Sequence, residues 1–259
     1  MDIKPVIVSA LFDIGRENWS NFTMSYHTYT SWAQYLLSMN TPIVFFTEEK
    51  LKNDILATRI LYDPNLEQTK IIVKTKEELD LYKSHYHRVK DVMESDSFAK
   101  IVQFDDVPEM CQPWYNIIMY SKLSLMQETY EQQYLPCNSL IWKDAAVYRE
   151  GEFSDKKWPN TEKIDTIRPT FFSHHDKVNI LHNKDHLLSQ TRFIQGGAIV
   201  SPGYIIKDLN KKYLKLVDFY LDQGYIGSDE KYLDLLVKEN PQAYNLIKCN
   251  WREYKEPLS

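Results

Sequence analysis

The chain has 259 residues, 31 Lys and Arg against 36 Asp and Glu for a formal net charge of −5, with 43% apolar and 14% aromatic residues. This composition is globular and long enough to bury a sizeable core, and a mildly acidic balance without long basic blocks argues against nucleic acid as a partner. Cys111, Cys137 and Cys249 are odd in number, widely spaced and never C-x-x-C, which argues against a secreted disulfide framework and a Cys-based zinc site and favours a cytoplasmic or other reducing compartment.

The first thirty residues lack a charged segment followed by an apolar one, and no window approaches about eighteen uninterrupted apolar residues, so neither signal peptide nor membrane span is expected. Pro5 to Phe12 (P-V-I-V-S-A-L-F) is an almost continuous apolar run ending at Asp13-Ile-Gly15, the pattern of a strand buried on both faces. A Tyr- and Trp-rich helix over 26–39, a buried strand over 42–46, a helix over 48–61 and a strand over 71–73 follow. Such alternation predicts βαβ units and a mostly parallel sheet. Helices are expected over 76–93 and 113–131, the second with Pro113 in its first turn, and then a strand over 139–142 ending at Lys143-Asp144.

From Tyr148 to Asp165 charges, a Trp158-Pro159 step and weak periodicity predict a long mobile loop. Short strands over 170–172 and 178–181 come next, then a clearer one over 192–200 that contains Gly196-Gly197. Ser201-Pro202 is expected to cap a helix whose Ile205, Leu209, Leu216, Val217 and Tyr220 share one face and which Gly224 closes. A last helix begins near Ser228, and 244–249 reads as a last strand. The chain shows no internal repeat.

In a parallel α/β sheet, ligands bind outside the carboxyl ends of the strands. Asp13 and Arg16 after the first strand, and Asp144 after the 139–142 strand, would share that edge. The alternative for Asp13 and Arg16 is an Asx-type turn with a surface ion pair. A phosphatase of the haloacid dehalogenase type is disfavoured, because Gly15 replaces the second acid of its Asp-x-Asp. Lys122 falls beside the apolar stripe of its helix and needs an anionic partner, either a ligand phosphate or an internal carboxylate such as Asp144, unless it snorkels to solvent. Gly196-Gly197 marks close approach of a ligand or of a neighbouring helix. Gly227-Ser228-Asp229-Glu230 reads as an ordinary helix start. His182 and His186 are four apart without an accompanying Glu, a poor zinc signature; His174, His175 or His182 could complete a metal site opened by Asp144, with His182 the candidate chosen.

These segments together resemble the HtrL/YibB-like family, whose members open on F-D-I-G-R-x-x-W, here Phe12 to Arg16 followed by Trp19. The resemblance continues through Ile43 to Phe46, Pro113-x-Tyr115 and Lys122, Leu140 to Ala145, Gln195 to Gly197, and Asp229-Glu230, over roughly Val6 to Leu236. It implies an α/β, GT-A-like single domain with a mostly parallel central sheet flanked by helices and a Rossmann-like nucleotide-binding half. Residues 1–147 would form the nucleotide-sugar half, 148–166 a mobile lid, and 167–259 the acceptor half.

The implied activity is transfer of a hexose from a UDP-sugar, UDP-glucose or UDP-galactose, to a glycan hydroxyl. The acceptor would be surface polysaccharide, lipopolysaccharide core or a protein-linked sugar such as galactosyl-hydroxylysine. Phe12, Asp13 and Arg16 would hold the uridine and diphosphate, Lys122 a phosphate or the sugar, and Gly196 and Gly197 would floor the sugar pocket. Asp229 or Glu230 would face the reacting hydroxyl. Asp144 would begin a D-x-D segment for Mn²⁺ or Mg²⁺, joined by His182, yet Ala146 stands where the second acid belongs. The alternative is a degenerate fold that binds nucleotide sugar or glycan without catalysis.

Overall fold

The computed structural model describes residues 4–104, 106–148, 158–250 and 258. Its elements run β1 (Pro5–Leu11), α1 (Tyr26–Leu37), β2 (Ile43–Thr47), α2 (Glu49–Ile60), β3 (Thr69–Val73), α3 (Asp80–Met93), α4 (Asp96–Ile101), α5 (Pro108–Cys111), α6 (Pro113–Tyr120), α7 (Lys122–Glu131), β4 (Ser139–Lys143), β5 (Thr170–Ser173), α8 (Asn183–Leu188), β6 (Ile194–Pro202), α9 (Ile206–Leu221), α10 (Asp229–Glu239) and β7 (Asn245–Lys248). Among the described residues the strands form one sheet in the order β3-β2-β1-β4-β6-β5-β7. All pairings are parallel except those of β6, which runs against both β4 and β5. The α/β class and the mostly parallel sheet expected from the alternating pattern are therefore present.

Both faces of the sheet are covered, which explains why its central strands read as unbroken apolar runs. Successive strand residues point to opposite faces. Val6, Val8, Val44, Phe46, Leu140 and Trp142 join one core with residues of α3, α6, α7, α9 and α10. Ile7, Ile43, Phe45 and Ile141 join the other with Leu36 and Leu37 of α1 and Leu51 and Ile55 of α2. No helix among the described residues is long and apolar enough to cross a membrane.

Three expectations need correction. The helix over 113–131 is two helices that meet at Ser121, whose Oγ donates back to the Ile117 carbonyl at 2.7 Å, a bond of the kind that bends helices. Residues 178–181 form no strand: β5 already has β6 on one side and β7 on the other, and Leu181 is exposed. Ser201 and Pro202 end β6, paired with Leu140 and Ser139 of β4, and α9 starts only after a 3₁₀ turn over Gly203–Ile205. The proposed lid lies outside the described residues over 149–157, and its remaining part is anchored. Trp158 is 2% exposed, its carbonyl accepts from Thr41 Oγ1, and Lys143 Nζ stands 4.9 Å over its ring.

One buried carboxylate fixes the strand that enters the sheet backwards. Asp234 of α10, 0% exposed, accepts from the backbone N–H of Phe193 at 3.1 Å and of Ile194 at 2.7 Å, and is 2.9 Å from His186 Nε2. Two backbone donors at the start of β6 thus depend on one side chain. Asp234→Ala should lower stability by about 2–4 kcal/mol, because it strands buried donors; a urea titration checks this, and a loss below ~1 kcal/mol would show that the β6 entry is held by other contacts.

Candidate active site

β1 and β4 are adjacent and parallel, while the chain turns from β1 toward β2 on the other side, so the crevice beyond their carboxyl ends is a topological switch point. Because β6 is antiparallel, its first residues arrive at the same edge. A cavity of about 250 Å³ opens there, walled by residues following β1 and β4, by Gly197 of β6, by Tyr115 of α6, by Lys122 of α7 and by the start of α10.

The corner after β1 is built by a turn. Asp13 Oδ1 accepts from Gly15 N at 2.8 Å, closing an Asx turn that Gly15 enters with φ +73°, a conformation glycine adopts at little cost. Asp13 pairs with Lys50 rather than with Arg16, and its backbone carbonyl accepts from Lys76 Nζ at 2.9 Å. Burial opposes ionisation of Asp13, but the bond from Lys50 and the Gly15 N–H outweigh it and hold the carboxyl below its ordinary range. Arg16 lines the cavity yet also pins the loop that follows: its Nε donates to the Phe22 carbonyl at 2.8 Å, its Nη1 to Tyr29 OH, and its guanidinium lies between Trp19 and Tyr29 at 5.4 and 5.5 Å. Phe12, buried, lines the same corner.

At the centre, Lys122 is 3% exposed. Its ammonium lies 2.7 Å from Asp229 Oδ2, 2.9 Å from the Gly196 carbonyl and 3.1 Å from Asp144 Oδ1. Its three N–H donors reach Asp229 Oδ2, the Gly196 carbonyl and, at 3.4 Å, Asp144 Oδ2. Burial alone would push this lysine down, but Asp144 and Asp229 hold it above the ordinary range. Of the two partners foreseen for Lys122, the internal carboxylate is the one in contact. Asp144 also accepts from Trp142 Nε1 at 2.7 Å, and its N–H donates to the Gly197 carbonyl at 3.1 Å.

Gly197 lines the cavity, whereas Gly196 gives its space to α10 instead of flooring a pocket. A Cβ on Gly196 would lie 2.5 Å from Asp229 Oδ2 and 3.0 Å from Glu230 Cγ. Gly196 N donates to Glu230 Oε1 at 2.9 Å, and Arg192 bridges Glu230 Oε2, at 3.3 Å, and Glu109. Burial first and the charge of Asp229 second push Glu230 up to about 7, against the pull of Arg192. Ser228 caps α10 without a side-chain bond to the helix; its buried Oγ has no partner among the described residues and lines the same cavity.

Arg192, Glu109, Ser228 and Tyr115 were not foreseen as site residues. Arg192 and Glu109 are 83 positions apart, and only the sheet brings them together. His182 is not brought to Asp144: it is exposed, occupies the N-cap of α8 and does not line the cavity. His186 is committed to Asp234.

A D-x-D metal centre fits these residues poorly. Asp144 is already bonded by an ammonium and an indole N–H, and Ala146 presents a methyl group in the cavity wall where a second acid would stand. No group of three His, Cys, Asp or Glu among the described residues is placed to hold a metal ion. Hard cations take several oxygens at short range, and here the oxygens are engaged by Lys122.

The family described as "Bacterial protein of unknown function (HtrL_YibB)" matches residues 4–255. The chain belongs to the HtrL_YibB family. No curated protein matches this HtrL_YibB chain. Among solved structures, the apo form of mouse xyloside xylosyltransferase 1 is similar at 11% identity and a TM-score of 0.48, over 96% of this chain and 86% of that one. The galactosyltransferase LgtC in complex with donor and acceptor sugar analogs is similar at 12% identity and a TM-score of 0.44, over 93% and 72%. An active-site mutant of LgtC gives 14% and 0.45 over the same shares.

The raised proton affinity of Glu230 has a signed consequence. A carboxyl that binds its proton more tightly when folded stabilises the fold below its ordinary value of 4.5 and loses that contribution as pH rises through about 7. Glu230→Gln does not ionise, so its melting temperature relative to the parent should climb between pH 4.5 and 7. A difference that stays flat across that window would show that Glu230 is not perturbed.

Proposed function

We propose that this HtrL_YibB protein is a glycosyltransferase that moves a hexose from a UDP-sugar, UDP-glucose or UDP-galactose, to a hydroxyl of a glycan acceptor. The observation that carries the reading is the Lys122–Asp144–Asp229 cluster facing a cavity at the switch point of a mostly parallel sheet, where nucleotides are characteristically bound. The acceptor is a surface polysaccharide, a lipopolysaccharide core or a protein-linked sugar such as galactosyl-hydroxylysine. Residues before 148 serve the donor and the later ones the acceptor.

Each side chain then has a task. Phe12 and the Asp13 turn hold the uridine, and Arg16 the diphosphate. Asp144 and Asp229, held in place by Lys122, orient the hexose, and the buried Lys122 charge opposes the charge that develops as the anomeric carbon–oxygen bond to the diphosphate breaks. The acceptor oxygen bonds to that carbon, UDP leaves, and the proton of the acceptor hydroxyl passes to Glu230. A carboxylate pushed up to about 7 is matched to taking a proton at neutral pH. Ser228 Oγ, buried and unpaired among the described residues, is available to a substrate hydroxyl. Manganese or magnesium was expected from the D-x-D resemblance; with the poor fit at Asp144, no step passes through a metal.

The test is UDP release from a panel of UDP-sugars with candidate glycans. Release that is selective for one hexose and falls about 100-fold or more in Asp144→Asn supports the reading; binding of UDP without release from any donor would indicate the non-catalytic alternative. If Glu230 is the base, kcat/KM rises with pH through about 7, and Glu230→Gln removes that limb while lowering kcat by about 10²–10⁴. A pH profile unchanged by the substitution would assign the proton to another group.

A further inference from the structure

The metal expectation and the geometry of Lys122 disagree, and the disagreement has content. An ammonium presents three N–H donors. At Lys122 all three meet oxygens, from Asp144 just after β4, from Gly196 of β6 and from Asp229 of α10, at 3.4, 2.9 and 2.7 Å, and the other oxygen of Asp144 stands 3.1 Å away. The ammonium is enclosed while Asp144 faces the cavity: the lysine is 3% exposed, Gly196 lacks the Cβ that would displace Asp229, and Trp142 Nε1 donates to Asp144 Oδ1. A divalent ion bonded to the Asp144 carboxylate would stand against that ammonium in a partly desolvated site, where like charges repel strongly.

We propose that Lys122 is the resident cation of this cavity, filling the place beside Asp144 that a divalent ion would take, so that a nucleoside diphosphate sugar is bound and turned over without metal. The inference rests on the donor reading above for its second half and on the cage alone for its first. Around it, α6 gives way to α7 at Ser121, one residue before Lys122, Gly196 admits α10, and Ala146 leaves no second carboxylate to recruit a metal.

The experiment uses the full chain in two arms. In the first, free Mn²⁺ is followed by electron paramagnetic resonance without nucleotide. The parent should leave the Mn²⁺ signal undiminished, and Lys122→Ala should acquire Mn²⁺ binding, because Asp144 and Asp229 lose their counter-ion. Mn²⁺ binding by the parent that Asp144→Asn abolishes, or a folded Lys122→Ala that leaves the signal untouched, overturns the proposal.

In the second arm, calorimetry of the parent with UDP is run in EDTA and in Mn²⁺. Equal affinity within about twofold supports metal independence; a loss of about tenfold or more in EDTA overturns it. These parent measurements decide the matter if Lys122→Ala does not fold. UDP binding in neither buffer overturns the donor reading and with it metal-free donor binding, while the Mn²⁺ arm still decides the cage.

Discussion

A lysine ammonium buried in a protein interior has to be met by oxygens, since an uncompensated charge there costs several kcal/mol. Lys122 meets that constraint with groups from three other elements, and much of the active edge can be read as the arrangement that brings them within 3.1 Å. β4 must end just before Asp144, β6 must run backwards so that Gly196 arrives at the same edge, and α10 must start at Asp229 with its first turn against a residue that has no side chain. Asp234, one turn further along α10, holds the first N–H groups of β6 and so fixes the distance between the two elements.

The same edge separates two carboxylates with different electrostatic surroundings. Asp229 is bonded to a cation at 2.7 Å, while its neighbour Glu230 receives one backbone N–H and a longer contact from a half-exposed Arg192. Adjacent acids in unequal environments are a recurrent way of keeping one ionised while the other holds a proton near neutrality. The arrangement depends on Arg192 being shared with Glu109, which ties the short helix α5 to the site.

Much of the fold was legible in the sequence because its central strands are buried on both faces. Pro5 to Phe12 and Ile43 to Phe46 could hardly be anything else, and their alternation with helices fixes a parallel arrangement. What failed were features that depend on partners distant in sequence. Val178 to Leu181 has strand-like residues, but β5, the strand just before it in sequence, is already paired on both sides, and Trp158, in a segment of polar texture, is buried against the α1–α2 side of the sheet. The site was legible where side chains follow strands, as at Asp13 and Asp144, and at Lys122, whose place beside an apolar stripe announced a buried charge. Arg192 and Glu109 carried no local signal, and His182 was chosen on spacing alone, which says nothing about the direction in which α8 leaves the sheet.

Binding of a nucleotide sugar at the edge organised by Lys122 is tested by hydrogen–deuterium exchange of the full chain with and without UDP-glucose and UDP-galactose. Slower exchange is expected only in the turn after β1, the segment after β4, Gly197 and the first turn of α10. Protection confined to the groove between α1 and α2, or spread over the far edge of the sheet with none at these segments, would contradict it.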